Sequence, residues 1–186
     1  MTQTILIAGI GNIFLGDDGF GCEVLRRLAQ RTWPENVRLV DFGIRGFDLA
    51  YALLDGSDVT IFVDATPRGG EPGTLYTIEP ELEELASIDG QQSVVETHGM
   101  DPMKVLAMVS SMGGELKKIL LVGCEPATFG PEEGQMGLSG PVEAAVDGAV
   151  RLVESLVAGF LQEQPQEIFE LGVPTSDIRK IARASE

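Results

Sequence analysis

Four side chains in this sequence have the types and setting to share one piece of chemistry: Asp17, Asp18, Asp64 and His98. Asp17 and Asp18 lie in the glycine-rich run Gly9-Ile10-Gly11-Asn12-Ile13-Phe14-Leu15-Gly16-Asp17-Asp18-Gly19. Asp64 follows the apolar run Val59–Val63, and His98, the only histidine, sits just before Asp101-Pro102. Of these, Asp18, Asp64 and His98 give two carboxylates and one imidazole, a mixed oxygen and nitrogen donor set suited to borderline divalent ions such as nickel or zinc. Three protein ligands would leave coordination positions open for water or a substrate group. Each residue alone has a plainer explanation. Asp17 reads as a helix N-cap and Asp18 as a first-turn acid, Asp64 as a turn former, and His98 as a solvent-bonded loop residue. The chemical reading requires distant stretches of chain to meet.

The elements that would bring them together alternate strand and helix. Thr4–Ala8, Val37–Phe42, Val59–Val63 and Ile119–Val122 are short apolar runs that read as buried parallel strands, and Leu75–Ile78 reads as an edge or antiparallel strand. Helices are expected from Asp17 or Asp18 to about Arg31, over Phe47–Leu54, from Asp101-Pro102 to Gly113, and from Ser139-Gly140-Pro141 onward. Pro80–Ala86 reads as a short solvated helix and Ser87–Ser93 as a polar loop. This pattern predicts a three-layer α/β/α sandwich around a mostly parallel twisted sheet of about five strands. Ligand sites in such sheets form at the carboxyl ends of the strands. That places Gly9–Asp18, Asp41–Arg45, Asp64–Thr66 and Gly123–Thr128 along one rim. A single domain is expected over residues 1–162, with 163–186 as a polar tail that is partly disordered or docked.

Composition narrows the classes of function. With 186 residues, 44% hydrophobic and 23% charged, the chain can bury a core without disulfide or metal staples. Thirteen basic and 29 acidic side chains leave a net charge of −16. Such a field repels nucleic acid and anionic membranes, and suits a basic protein or a metal cation. No apolar run is long enough to span a bilayer. Cys22 and Cys124 lack zinc-site spacing and read as buried free thiols, which favours the cytoplasm. No exposed apolar element stands out, so a monomer is expected. Met100, Met103, Met108 and Met112 read as core packing around one helix, or as an adaptable partner surface.

One competing reading is a nucleotide- or NAD-binding Rossmann-like enzyme. Gly9-x-Gly11 follows a strand, and Asp41 stands where a ribose-binding acid would. Against it, Phe14 occupies the third glycine position, and Asp17 and Asp18 would repel a pyrophosphate at the helix N-terminus.

The run from Gly9 to Gly21 resembles the N-terminal signature of the hydrogenase maturation endopeptidases. Asp41-Phe42-Gly43-Ile44-Arg45-Gly46, Phe62-Val63-Asp64-Ala65, Thr97-His98-Gly99, Gly123-Cys124-Glu125-Pro126 and Gly137-Leu138-Ser139 extend the resemblance in family order over about residues 4–160. The resemblance implies an endopeptidase that removes a C-terminal peptide from the precursor of a nickel-iron hydrogenase large subunit after nickel insertion. It implies that Asp18, Asp64 and His98 form the catalytic metal-contacting site, with Asp17 in support. Nickel would be presented in the substrate, with zinc or cadmium as substitute ions. Many members carry Glu where this chain has Asp18, which shortens that ligand arm by one methylene. Asp41 and Arg45 are implied substrate-loop contacts. The residues do not choose between a metallo and an aspartic-type mechanism.

Overall fold

A computed structural model describes residues 3–82, 100–131 and 133–162. Five strands form one sheet: β1 (Ile5–Ile10), β2 (Val37–Gly43), β3 (Val59–Ala65), β4 (Leu75–Ile78) and β5 (Lys118–Cys124). Their order is β2-β1-β3-β5-β4. The first four pair in parallel, while β4 runs antiparallel along β5 at the sheet's edge. β1 and β3 are buried along their whole length because both faces of the sheet are covered.

Helices α1 (Phe20–Leu28) and α4 (Gly140–Gln162) cover one face, and α2 (Gly46–Leu54) and α3 (Pro102–Ser111) the other. The alternation of side chains along β1 and β3 feeds both layers. Ile5, Ile7, Ile61 and Val63 meet Phe20, Leu25 and the valine stripe of α4. Leu6, Ala8 and Phe62 meet Leu49, Leu53 and Leu106. Arg27 ties α1 to α4 through Glu143 and Asp147. The expected sandwich and strand number are what the chain forms.

Several boundaries differ from expectation. α1 begins at Phe20, and Asp17 and Asp18 lie ahead of it in a single 3-10 turn, Gly16–Gly19. Neither carboxylate caps α1, because Gly19 is its N-cap and no side chain bonds there. Two constraints produce the separate turn. Gly11 has a φ of 129° and lies against the Asp18 carbonyl, where a Cβ would collide. Gly21 presses α1 against the carbonyls of Ile10 and Val63. Strand β3 reaches past Val63, so Asp64 is the penultimate residue of the strand and not a turn residue. α3 follows the sequence pattern: Asp101 caps it by accepting from the Met103 N–H at 2.9 Å, with Pro102 in the first position. Most of the expected 80–86 helix, all of the 87–93 loop, His98 and the 163–186 tail lie outside the described residues.

Gly21→Ala tests the close packing of α1. In an unstrained helix this change stabilises by about 1 kcal/mol. Here the methyl meets backbone on two strands, and the expected result is a loss of about 3 kcal/mol in urea unfolding.

Candidate active site

The strand order turns at β1 and β3: the chain passes from β1 outward to β2, then returns to β3 on the other side. In open parallel sheets that turning point opens a crevice at the carboxyl ends of the two strands. Asp64, next to last in β3, stands there, paired with Gly123 of β5. Asp18 arrives from β1 on the 3-10 turn, half-buried, its Oδ2 accepting the Asn12 N–H at 2.6 Å. These are the two acids the sequence nominated, and the fold brings them together electrostatically. Burial pushes the Asp64 carboxyl well above its ordinary value of 3.8, and the Asp18 charge pushes it further. A hydrogen bond from the Ala65 N–H opposes this in part, and the Asp101 charge adds to it. Burial also raises Asp18, against the bond from Asn12.

Asp101 is a third acid at this rim, assigned by sequence only to capping. It stands three residues after His98, the remaining nominated ligand, which lies outside the described residues. Among the described residues no group of three His, Cys, Asp or Glu side chains is arranged to hold a metal ion.

Asp17 is not part of the pair. It is fully buried, and its carboxylate faces the loop after β5. Oδ2 accepts the Ala127 N–H at 2.7 Å, the Thr128 N–H at 3.0 Å and the Ser139 hydroxyl at 2.9 Å, while Oδ1 accepts the Ser139 N–H at 2.6 Å. Burial would raise its pKa, but the donors of Ser139, Thr128 and Ala127 outweigh that and hold it below 3.8. The loop is joined to the 3-10 turn again where Gly16 N–H donates to Gln135 O and Gln135 N–H donates to Phe14 O. Ala127, Thr128, Gln135 and Ser139 are thereby pinned to the turn that carries Asp18.

Glu125 is a second such hub, and the sequence reading assigned it no part. Its Oε2 accepts the Arg68 N–H and the Tyr76 hydroxyl, both at 2.8 Å, and Oε1 accepts the Gly69 N–H at 3.0 Å. It follows β5 as the next residue, in the segment that the strand-end rule had marked. An acid directly after a largely buried apolar strand was the available signal.

Two adjoining cavities of about 350 and 330 Å³ share Ile13, Cys22 and Asp41, and neither Asp18 nor Asp64 lines either of them. Asp41 accepts the Gly43 N–H at 3.0 Å, and Arg45 donates to the Asp41 and Phe42 carbonyls. Cys22 is a free buried thiol pushed up to about 12, by burial first and then by the Asp41, Asp18 and Asp64 charges. It is no nucleophile at neutral pH. Around the cavities Ile13, Phe14, Ile44, Phe47, Phe129 and Met136 are exposed, an apolar surface that the sequence reading did not anticipate. The nucleotide reading finds no support, because the space at Gly11 that a pyrophosphate would need is filled by the backbone of Asp18.

Asp17 and Asp64 should respond oppositely to neutralisation. Ionised Asp17 contributes stability that is present above the unfolded value near 3.8 and lost as pH falls through its lower folded value. Ionised Asp64 costs stability from about 3.8 upward, a cost complete above its raised folded value. At pH 7, Asp17→Asn puts an amide donor against backbone donors and should cost about 2–3 kcal/mol. Asp64→Asn, measured with chelator present, should raise Tm by about 2–4 °C. Thermal melts at pH 7 and pH 3.5 check both signs, since both differences shrink at the lower pH.

Comparison with known proteins agrees with this geometry. The family model for hydrogenase maturation protease, HycI, matches residues 22–156. A candidate hydrogenase maturation protease of Methanocaldococcus jannaschii is 34% identical, covering 81% of this chain and 94% of its own. The hydrogenase maturating endopeptidase HybD of Escherichia coli superposes with a TM-score of 0.67 at 29% identity, covering 84% of this chain and 93% of its own. A hydrogenase 2 maturation peptidase from a Thaumarchaeota archaeon superposes at 0.63 with 32% identity, covering 84% and 99%. With the sheet and these relatives in agreement, the chain belongs to the hydrogenase maturation proteases, a family of peptide hydrolases.

Proposed function

We propose that this protein is the endopeptidase that removes a C-terminal peptide from the precursor of a nickel-iron hydrogenase large subunit once nickel is in place. The observation that carries this reading is the Asp18–Asp64 pair at the sheet's turning point, where the charge of Asp18 acts on Asp64 and no cationic side chain among the described residues offsets it. Like charges so placed favour a divalent ion. An ion carried by the substrate would relieve the crowding only in the loaded precursor, so affinity itself separates loaded from empty substrate. His98 completes the donor set in this proposal, and Asp101, three residues on, brings its segment of chain back to the rim. Zinc or cadmium, with the same preference for nitrogen and oxygen donors, serve as substitute probes.

In the hydrolytic step a water attacks the scissile carbonyl and its proton passes to a carboxylate, which later returns a proton to the leaving amine. A carboxyl whose pKa is raised toward neutrality suits that exchange, and Asp64 is the group so placed. Asp17 supports by fixing the turn that carries Asp18. Asp41 and Arg45, on the wall of the second cavity, contact the substrate chain. Cys22 and Cys124, both free and buried, suit a protein working in the reducing cytoplasm.

Incubation with nickel-loaded and nickel-free precursor, followed by mass spectrometry, tests the reading. Cleavage of the loaded form alone is expected. Equal cleavage of both forms removes nickel gating, and cleavage of neither removes the activity. Asp18→Asn and Asp64→Asn should each slow cleavage of loaded precursor by about 10²-fold or more while leaving the protein folded.

A further inference from the structure

The loop from β3 to β4 crosses the end of β5 and carries Arg68. Its backbone N–H is held by Glu125 Oε2 at 2.8 Å. Its guanidinium lies over the Tyr76 ring, 5.8 Å from the centroid. Tyr76 is itself anchored, its hydroxyl donating to the same Glu125 oxygen at 2.8 Å. Gly70 completes the fit, because a Cβ there would strike the Tyr76 hydroxyl. One buried carboxylate thus fixes both the start of the Arg68 side chain and the platform under its tip.

That arrangement leaves the guanidinium's hydrogen-bonding edge unused. The charge of Glu125 is met by N–H and O–H donors. Among the described residues no carboxylate lies within ion-pair distance of Arg68. A guanidinium resting over an anchored ring is a ready receptor for a carboxylate, since its planar fork donates to two oxygens at once.

Its position defines what it can reach. Arg68 stands over the β5–β4 end of the rim, one to two strands from β3. At about 4.8 Å per strand it lies about 5–10 Å along the rim from Asp64, or two to three residues of extended polypeptide. We propose that Arg68 is a specificity-determining residue that receives a carboxylate of the polypeptide substrate a few residues from the scissile bond. This rests on the endopeptidase reading above. The carboxylate is either an acidic side chain or the substrate's C-terminus.

The test measures steady-state cleavage of nickel-loaded precursor by the full-length wild type, Arg68→Ala, Arg68→Lys and Tyr76→Phe. Arg68→Ala should raise KM about tenfold with kcat within twofold, and the KM of wild type alone should climb steeply with salt. Arg68→Lys keeps the charge without the fork and should recover only part of the loss. Tyr76→Phe keeps the ring but frees it from Glu125, and should raise KM less than Arg68→Ala. Precursor variants with single acid-to-Lys changes near the cleavage site identify a side-chain source, because Arg68→Glu then restores cleavage of one of them. A precursor extended by two residues identifies the terminal carboxylate, because wild type alone loses affinity for it. An unchanged KM and salt response in both Arg68→Ala and Arg68→Lys overturns the proposal while cleavage by wild type upholds the endopeptidase reading. Failure of wild type to cut any precursor overturns both.

Discussion

A carboxylate taken out of water must be met by donors or by a cation, or it holds its proton. The buried charged residues among those described are Asp17, Asp64 and Glu125, and all three lie at one rim of one sheet. Asp17 and Glu125 are each surrounded by backbone N–H groups and a hydroxyl, and both are held below their ordinary pKa values despite burial. Asp64 has the Ala65 N–H and faces the charges of Asp18 and Asp101. The same residue type is thus used in two ways. Saturated with donors, a buried acid organises loops. Left short of donors beside a like charge, it becomes a group that wants a proton or a cation.

The division of labour follows from topology. A parallel sheet sends each strand's outgoing loop to the same rim, so loops far apart in sequence arrive side by side with few contacts of their own. Asp17 fastens the loop after β5 to the turn after β1, and Glu125 fastens the loop after β3 to the end of β5. Close backbone approaches at Gly11 and Gly21 set the depth at which the turn carrying Asp18 sits. Asp18 is therefore located by hydrogen bonds and backbone sterics, whereas Asp64 is located by the ladder of a central strand. Perturbing the loop hubs should disturb Asp18 more than Asp64.

Much of this was legible in the sequence because the signals are local. Apolar runs of strand length, the Asp101-Pro102 cap and the valine stripe of α4 each report on their own backbone, and the sandwich follows from their alternation. The nomination of Asp18 and Asp64 as neighbours was also legible, since the strand-end rule converts order along the chain into position on a rim. What was not legible depends on long-range partners. Asp17 looked like an N-cap because nothing near it in sequence shows that residues 127, 128 and 139 supply its donors. Glu125 was quoted as part of a motif, but its hold on residues 68 and 69 crosses 56 or more positions. The exposed Ile13, Phe14, Phe129 and Met136 were hidden for the same reason, because a lone apolar residue in a loop says nothing about whether the fold will cover it.

The contrast between satisfied and unsatisfied acids also bears on how a hydrolase of this kind avoids acting on the wrong chain. A preformed metal site would be stable and active before any substrate arrived. On the proposed reading the acid pair has no resident cation: the free protein carries the electrostatic cost, and a substrate that brings a cation removes it. On the proposed reading the binding free energy gained is largest for the one precursor state in which the ion is present, so selection needs no separate sensor domain. The rigid hubs matter to that economy. If Asp18 could swing away from Asp64, the repulsion would be relieved by motion instead of by substrate, and the difference between loaded and empty precursor would shrink. Donor-saturated carboxylates on both flanks are what keep the unsaturated one waiting.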